Sequence, residues 1–226
     1  MPDFPDAEHE RRCRAAQEAM NAAGLEVLFL TTEAEFRYFT GFRTAFWQSP
    51  TRPWFLFLPR TGDPVAVIPA IGADLMAQTW VRDIRVFAAP DATAPHLAIL
   101  TDLLRGFARI GVPMGPETHL RMPMAEFDAL RDRAGGAWVD ATGIIRDLRM
   151  VKSTAEQAAI AEICAIGSAA FAALGAQIAV GQPLWDVFAA FRIALLTAGA
   201  EEVPYLVGGA GPGGYRDVIS PPGAEP

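Results

Sequence analysis

The stretch Ala23-Gly-Leu-Glu-Val-Leu-Phe-Leu-Thr-Thr-Glu-Ala-Glu-Phe-Arg-Tyr-Phe-Thr-Gly-Phe42 changes character halfway along. Val27-Leu-Phe-Leu-Thr31 is a short apolar run suited to a buried strand. Thr32 is placed to cap a short helix over Glu33 to Phe39, and Gly41 stops it. A strand feeding a helix in so few residues is the unit of an α/β layer fold. Upstream, residues 6–22 space Cys13, Ala16, Met20 and Ala23 along one face of an amphipathic helix that Gly24 ends. Downstream, a loop with Trp47, Pro50, Arg52 and Pro53 leads into two strand segments, Trp54 to Leu58 and Pro64 to Ile68. The turn Arg60-Thr-Gly-Asp63 joins them, which predicts a hairpin.

Helix and strand then alternate. The pattern predicts a helix over Ile71–Trp80 and strands at Ile84–Phe87 and Ile110–Met114. Leu97, Leu100, Leu104 and Phe107 mark a second helical face, and Met124, Phe127 and Leu130 a third, with Pro123 at its first turn. Trp138-Val139 suggests a last short strand. Such alternation buries a sheet between helices, so residues 1–148 read as one α/β domain.

Past residue 148 the composition shifts. Ser153-Thr-Ala-Glu156 is a capping box opening a long helix whose face reads Ile160, Ile163, Gly167, Phe171, Leu174 and Ile178. Gly181 and Pro183 separate it from a second helix with Leu184, Val187, Phe188, Phe191 and Leu195 on one face. A strand over Val203–Val207 is expected next, and after Gly208 turn residues dominate. Ile163 to Ala176 carries no charge, but 14 residues fall short of the roughly 20 that a bilayer needs, so a buried core helix is expected there. Two helices and one strand make an unfinished domain, 149–226.

Composition narrows the function. Acidic residues outnumber basic ones 26 to 19, which disfavours nucleic-acid and anionic-membrane partners. The N-terminus is acidic and proline-bearing, unlike a signal peptide, and the two cysteines form no C-x-x-C or disulfide framework, which points to the cytoplasm. The histidines His9, His96 and His119 lie in no metal-ligand spacing and are expected at surfaces or helix ends. No G-x-S-x-G elbow occurs, and Gly208 to Gly214 lacks both the following helix and the Lys-Ser/Thr of a phosphate loop. No catalytic residue and no metal ligand emerges from the residues themselves.

Three segments carry a resemblance. Ala23 to Phe42 resembles the opening of the creatinase/prolidase N-terminal domain, where a Y-L-T-G-F-like turn ends the first short helix. Asp147-Leu-Arg-Met-Val-Lys-Ser-Thr-Ala-Glu156 resembles the L-R-x-x-K-S-x-x-E junction into that family's pita-bread domain. Val207-Gly-Gly-Ala-Gly-Pro-Gly-Gly214 is similar to the glycine-rich segment before its first metal-ligand strand. The three stand in family order and span nearly the whole chain.

The resemblance implies a creatinase-like α/β domain with a mixed sheet, then the first part of an α+β pita-bread domain. It implies hydrolysis of small C–N-bonded substrates by two divalent metals, such as manganese, zinc or cobalt, held by two Asp, one His and two Glu. In the family those ligands follow the glycine-rich segment, so the expectation is a chain that ends before them and is inactive alone. Asp217 lacks the family's D-x-G context, and Arg216 to Ser220 lacks the histidine of proline-specific members, which argues against proline-peptide specificity. The loop Arg43–Trp54 would suit a carboxylate-bearing substrate, with Trp47 and Arg52 as substrate-binding candidates and Tyr215 as a third. Packing at a homodimer contact explains them equally well. The alternative to a hydrolase of peptides or similar small molecules is a non-catalytic dimerisation or small-molecule-binding module.

Overall fold

The chain divides into two compact units, Met1–Val151 and Lys152–Pro226. The structure is a computed structural model that describes residues 4–49, 51–210 and 222–223.

The first unit opens with α1 (Asp6–Ala23), closed by Gly24 in the left-handed region at φ 67°. Next come β1 (Val27–Leu30) and α2 (Glu33–Thr40). The buried Glu35 carboxylate accepts from the Thr32 amide at 3.1 Å and from its hydroxyl at 2.5 Å, which fixes where α2 starts. A 3-10 turn, Ala45–Gln48, leads to the hairpin of β2 (Phe55–Pro59) and β3 (Val65–Pro69). The helix expected over Ile71–Trp80 is cut to a 3-10 turn, Ala70–Gly72, and one turn of α3 (Ala73–Met76). The Thr79 hydroxyl ends it by donating to the Met76 carbonyl at 2.8 Å and accepting from the Val81 amide at 3.3 Å. Then follow β4 (Asp83–Phe87), α4 (His96–Leu104), β5 (Arg109–Val112), α5 (Met124–Ala134), β6 (Ala137–Asp140) and α6 (Thr142–Met150). Phe107 lies beyond α4 because Arg105 turns extended and Gly106 takes φ 100°.

The sheet order is β4-β3-β2-β1-β5-β6. β2 is antiparallel to both of its neighbours, and the other pairings, β1 with β5, β3 with β4 and β5 with β6, are parallel. Five strands therefore point one way, and their carboxyl ends share one edge. The apolar run in β1 reflects helices on both faces. Leu28 and Leu30 join Ala16, Met20, Phe36 and Ile145 on one side, under α1, α2 and α6. Val27 and Phe29 join Leu97, Leu100, Leu104 and Leu130 on the other, under α4 and α5. Helix α6 went unread in the sequence. Its start is held by Asp140, whose carboxylate accepts from the Thr142 amide at 2.9 Å, a signal visible in the Asp-x-Thr spacing.

The second unit holds α7 (Thr154–Leu174) and α8 (Leu184–Thr197), packed through Phe171 and Phe191 with ring centres 4.7 Å apart. The capping box forms as expected, with the Ser153 amide donating to Glu156 at 2.7 Å and the Glu156 amide to the Ser153 hydroxyl at 3.2 Å. Two expectations fail here. Residues 203–207 carry no regular secondary structure, because no strand among the described residues lies alongside to pair with them. Nor is α7 a buried core helix: Ile163 is 52% and Phe171 67% exposed, and only Ala170 is buried. Among the described residues of this unit α8 is its one helical partner, which leaves most of its circumference uncovered. At 21 residues, α7 is also longer than the charge-free window and is long and apolar enough to cross a membrane by length and composition alone.

Candidate functional site

The carboxyl edge of the first unit's sheet collects the polar chemistry. The loop from Ala45 to Pro53 crosses it and is tied down by one side chain from the approach to α5. The Arg121 guanidinium donates to the carbonyls of Trp47 (2.8 Å), Ser49 (2.6 Å) and Arg52 (2.9 Å) and lies 5.2 Å from the Trp47 ring centre. Its own amide donates to the Thr31 hydroxyl at 3.0 Å, which anchors the clamp to the end of β1. Burial pulls the Arg121 pKa below its ordinary value, with a weak opposing pull from Glu33. Sequence reasoning missed Arg121, since a lone arginine before a helix has no local signature.

The loop's own side chains are packed inward. Trp47 is 6% exposed and sits with Phe36 and Trp54, at ring-centre distances of 5.4 and 5.6 Å. Arg52 donates to the Ser49 hydroxyl at 3.1 Å and lies 5.3 Å from the Phe46 ring centre. Three buried donors in this stretch, Trp47 Nε1, Arg52 Nε and Trp54 Nε1, have no acceptor among the described residues. Trp47 and Arg52, paired as candidates in the sequence, thus belong to one loop; Tyr215, the third, lies outside the described residues.

Beside the loop opens a cleft of about 400 Å³, lined by Thr51, Pro53 and Arg121 on one side and by Phe87, Asp91, His96 and Glu126 on the other. His96 was expected at a surface or helix end. It does begin α4, but it is buried, stacked 5.5 Å from Phe55 and 5.0 Å from Phe87, with Nε2 2.9 Å from the Glu126 carboxylate. His9 is likewise buried in α1, with Nδ1 3.1 Å from the Tyr38 carbonyl. The helix faces that carry both histidines turn toward packed neighbours, which spacing alone did not disclose. Asp91 is ionised below the usual carboxylate range because the Thr93 hydroxyl and amide both donate to it.

A metal pair requires several oxygen or nitrogen donors converging on one point. Among the described residues no three His, Cys, Asp or Glu side chains do so. The described residues therefore do not fit the metal pair that the resemblance implies.

A mixed six-stranded sheet with helices on both faces, carrying a cleft at its carboxyl edge, defines an α/β domain built around a small-molecule-sized site. Residues 12–151 match the Creatinase/Prolidase N-terminal domain, and the chain belongs to that family. It is 29% identical over 212 residues to the probable dipeptidase PepE of Mycobacterium tuberculosis, covering 92% of this chain and 54% of that protein. It is 30% identical over 210 residues to the agropine synthesis cyclase of Rhizobium rhizogenes, covering 88% of this chain and 50% of that protein. The crystal structure of dipeptidase PepE from Mycobacterium ulcerans superposes with a TM-score of 0.72 at 28% identity, over 91% of this chain and 54% of that one. The fold expectation of a creatinase-type mixed α/β domain in the setting of pita-bread hydrolases holds. The chain spans about half the length of the curated relatives it matches.

Proposed function

We propose that this chain is the substrate-recognition half of a metal-dependent hydrolase acting on dipeptides or similarly small C–N-bonded molecules. The observation that carries the proposal is the 29% identity to a probable dipeptidase over 92% of the chain, helical second unit included. The loop of Trp47 and Arg52 supports it. Clamped by Arg121, it lines one side of the cleft through Thr51 and Pro53 beside that guanidinium, and a guanidinium suits a substrate carboxylate. Recognition of this kind places a substrate without activating water, and positioning alone leaves most of an amide-hydrolysis barrier standing. The 226-residue chain then binds its substrate class and does not turn it over, as a cytoplasmic homodimer whose apolar second-unit surface is covered on assembly. The similarity to a cyclase at 30% identity keeps the substrate class at small molecules rather than peptides alone.

The test is titration of the purified chain with manganese, zinc or cobalt, followed by assays on Xaa-Pro and other dipeptides, creatine and ectoine, with light scattering for the oligomeric state. The expected outcome is a dimer without turnover. Stoichiometric binding of two metals with hydrolysis would overturn the non-catalytic part of the proposal. A monomer would overturn the assembly.

A further inference from the structure

The cleft at the carboxyl edge of the sheet holds unspent charge of both signs. Arg121 has five N–H donors, of which the carbonyls of Trp47, Ser49 and Arg52 take three. The Nε–H and one Nη1–H have no acceptor, and no carboxylate lies within ion-pair distance, among the described residues. Across the cleft, Glu126 is held through Oε2 by His96, and its Oε1 accepts nothing from a described residue. The His96 ring that holds it is itself fixed between Phe55 and Phe87, so the carboxylate is oriented rather than free to swing. Asp91 spends Oδ1 on Thr93 and leaves Oδ2 open. Phe87, Met122, Pro123 and Pro53 supply apolar wall between the two ends.

A partly buried guanidinium with no counter-ion asks for an anion, and two oriented carboxylates with spare oxygens ask for a cation. One small molecule with both charges answers both, and about 400 Å³ is within the range of cavities that hold such ligands. A purely anionic ligand would face Asp91 and Glu126 uncompensated, and a purely cationic one would face Arg121. We propose that this cleft binds a free zwitterionic α-amino acid with an apolar side chain. Its carboxylate lies on Arg121, its ammonium on Asp91 and Glu126, and its side chain against Phe87 and Met122. The site lies wholly in the first unit and does not depend on the hydrolase proposal, since occupancy is read without turnover.

The experiment is calorimetric titration of the 226-residue chain with L-leucine, N-acetyl-L-leucine and L-leucinamide, with amide NMR shifts to locate the contact. L-Leucine is expected to bind saturably, shifting residues 87–96 and 121–126. The acetylated and amidated forms, each lacking one charge, are expected to bind at least tenfold more weakly. Asp91→Asn sits at an exposed position and is expected to weaken leucine several-fold while leaving the circular dichroism unchanged. Glu126→Gln, which keeps the hydrogen bond to His96, is expected to do the same. Absence of saturable binding, equal binding of N-acetyl-leucine, or shifts confined to other residues would each overturn the proposal. Failure here would leave the dipeptidase comparison as it stands, and hydrolysis by the chain would leave this site as it stands.

Discussion

At the scale of single residues, Cys13 sits among Ala16, Met20 and the α2 residue Phe39, and burial pushes its thiol pKa from an ordinary 9.0 up to about 12. The folded chain therefore keeps a proton that the unfolded chain releases above pH 9. The sign follows: the stability Cys13 contributes is whole below pH 9 and is lost as pH rises from there toward 12. Unfolding free energies of the wild type from urea titrations should fall by up to about 1.4 kcal/mol per pH unit more than those of Cys13→Ala across that interval. Parallel curves would show that Cys13 ionises freely in the folded state. Iodoacetamide at neutral pH should label the exposed Cys164 and spare Cys13. Periodicity placed Cys13, Ala16, Met20 and Ala23 on one face of α1; the first three are buried, and Ala23, in the last turn, is exposed. It had nothing to say about Arg12, which is 2% exposed. That guanidinium lies between the rings of Phe4 and Tyr38 and donates to the Tyr38 carbonyl at 2.9 Å, so half of its setting comes from a segment remote in sequence. The same holds for His96 and Arg121: their environments are assembled by the fold, so their roles were not legible beforehand.

At the scale of elements, segments that carry a local signal of period, cap or turn were legible, and those that depend on a neighbour were not. The hairpin of β2 and β3, the strand β1 and the box at Ser153 each carry their own local signal, and each forms. Helix α6 follows β6 with only Ala141 between them, so no Gly or Pro marks the boundary and the Asp140–Thr142 signal was passed over, and the 203–207 segment needed a neighbour that sequence cannot supply. The cap at Ser153 should matter more than most, because α7 has few tertiary contacts to hold its start. Ser153→Ala is expected to cost about 1 kcal/mol locally. Amide exchange in the first turn of α7 should speed up roughly fivefold by that measure, while residues 25–140 stay unchanged. Uniform exchange in both regions of the wild type would contradict the weaker packing of α7 and α8.

At the scale of the whole molecule, two compact units meet in sequence at Val151, which is 78% exposed. Limited trypsin digestion should cut first at Arg149 or Lys152 and leave a resistant fragment carrying the six-stranded sheet, identified by mass. Early cuts within 25–140 would count against that division. The sheet order itself bears on how the chain reaches its shape. Strands β1 to β4 lie within residues 27–87 and join one another edge to edge, so four of the six strands can assemble as soon as that stretch leaves the ribosome. β1 then ends this four-stranded part with an open flank until β5 arrives more than 80 residues downstream, pairing Val27 with Ile110. During translation that flank is an unsaturated, wholly apolar strand, the kind that recruits another chain. The interval between residues 30 and 109 is therefore the window in which a nascent copy depends on chaperones, and slowed translation across it should lower soluble yield.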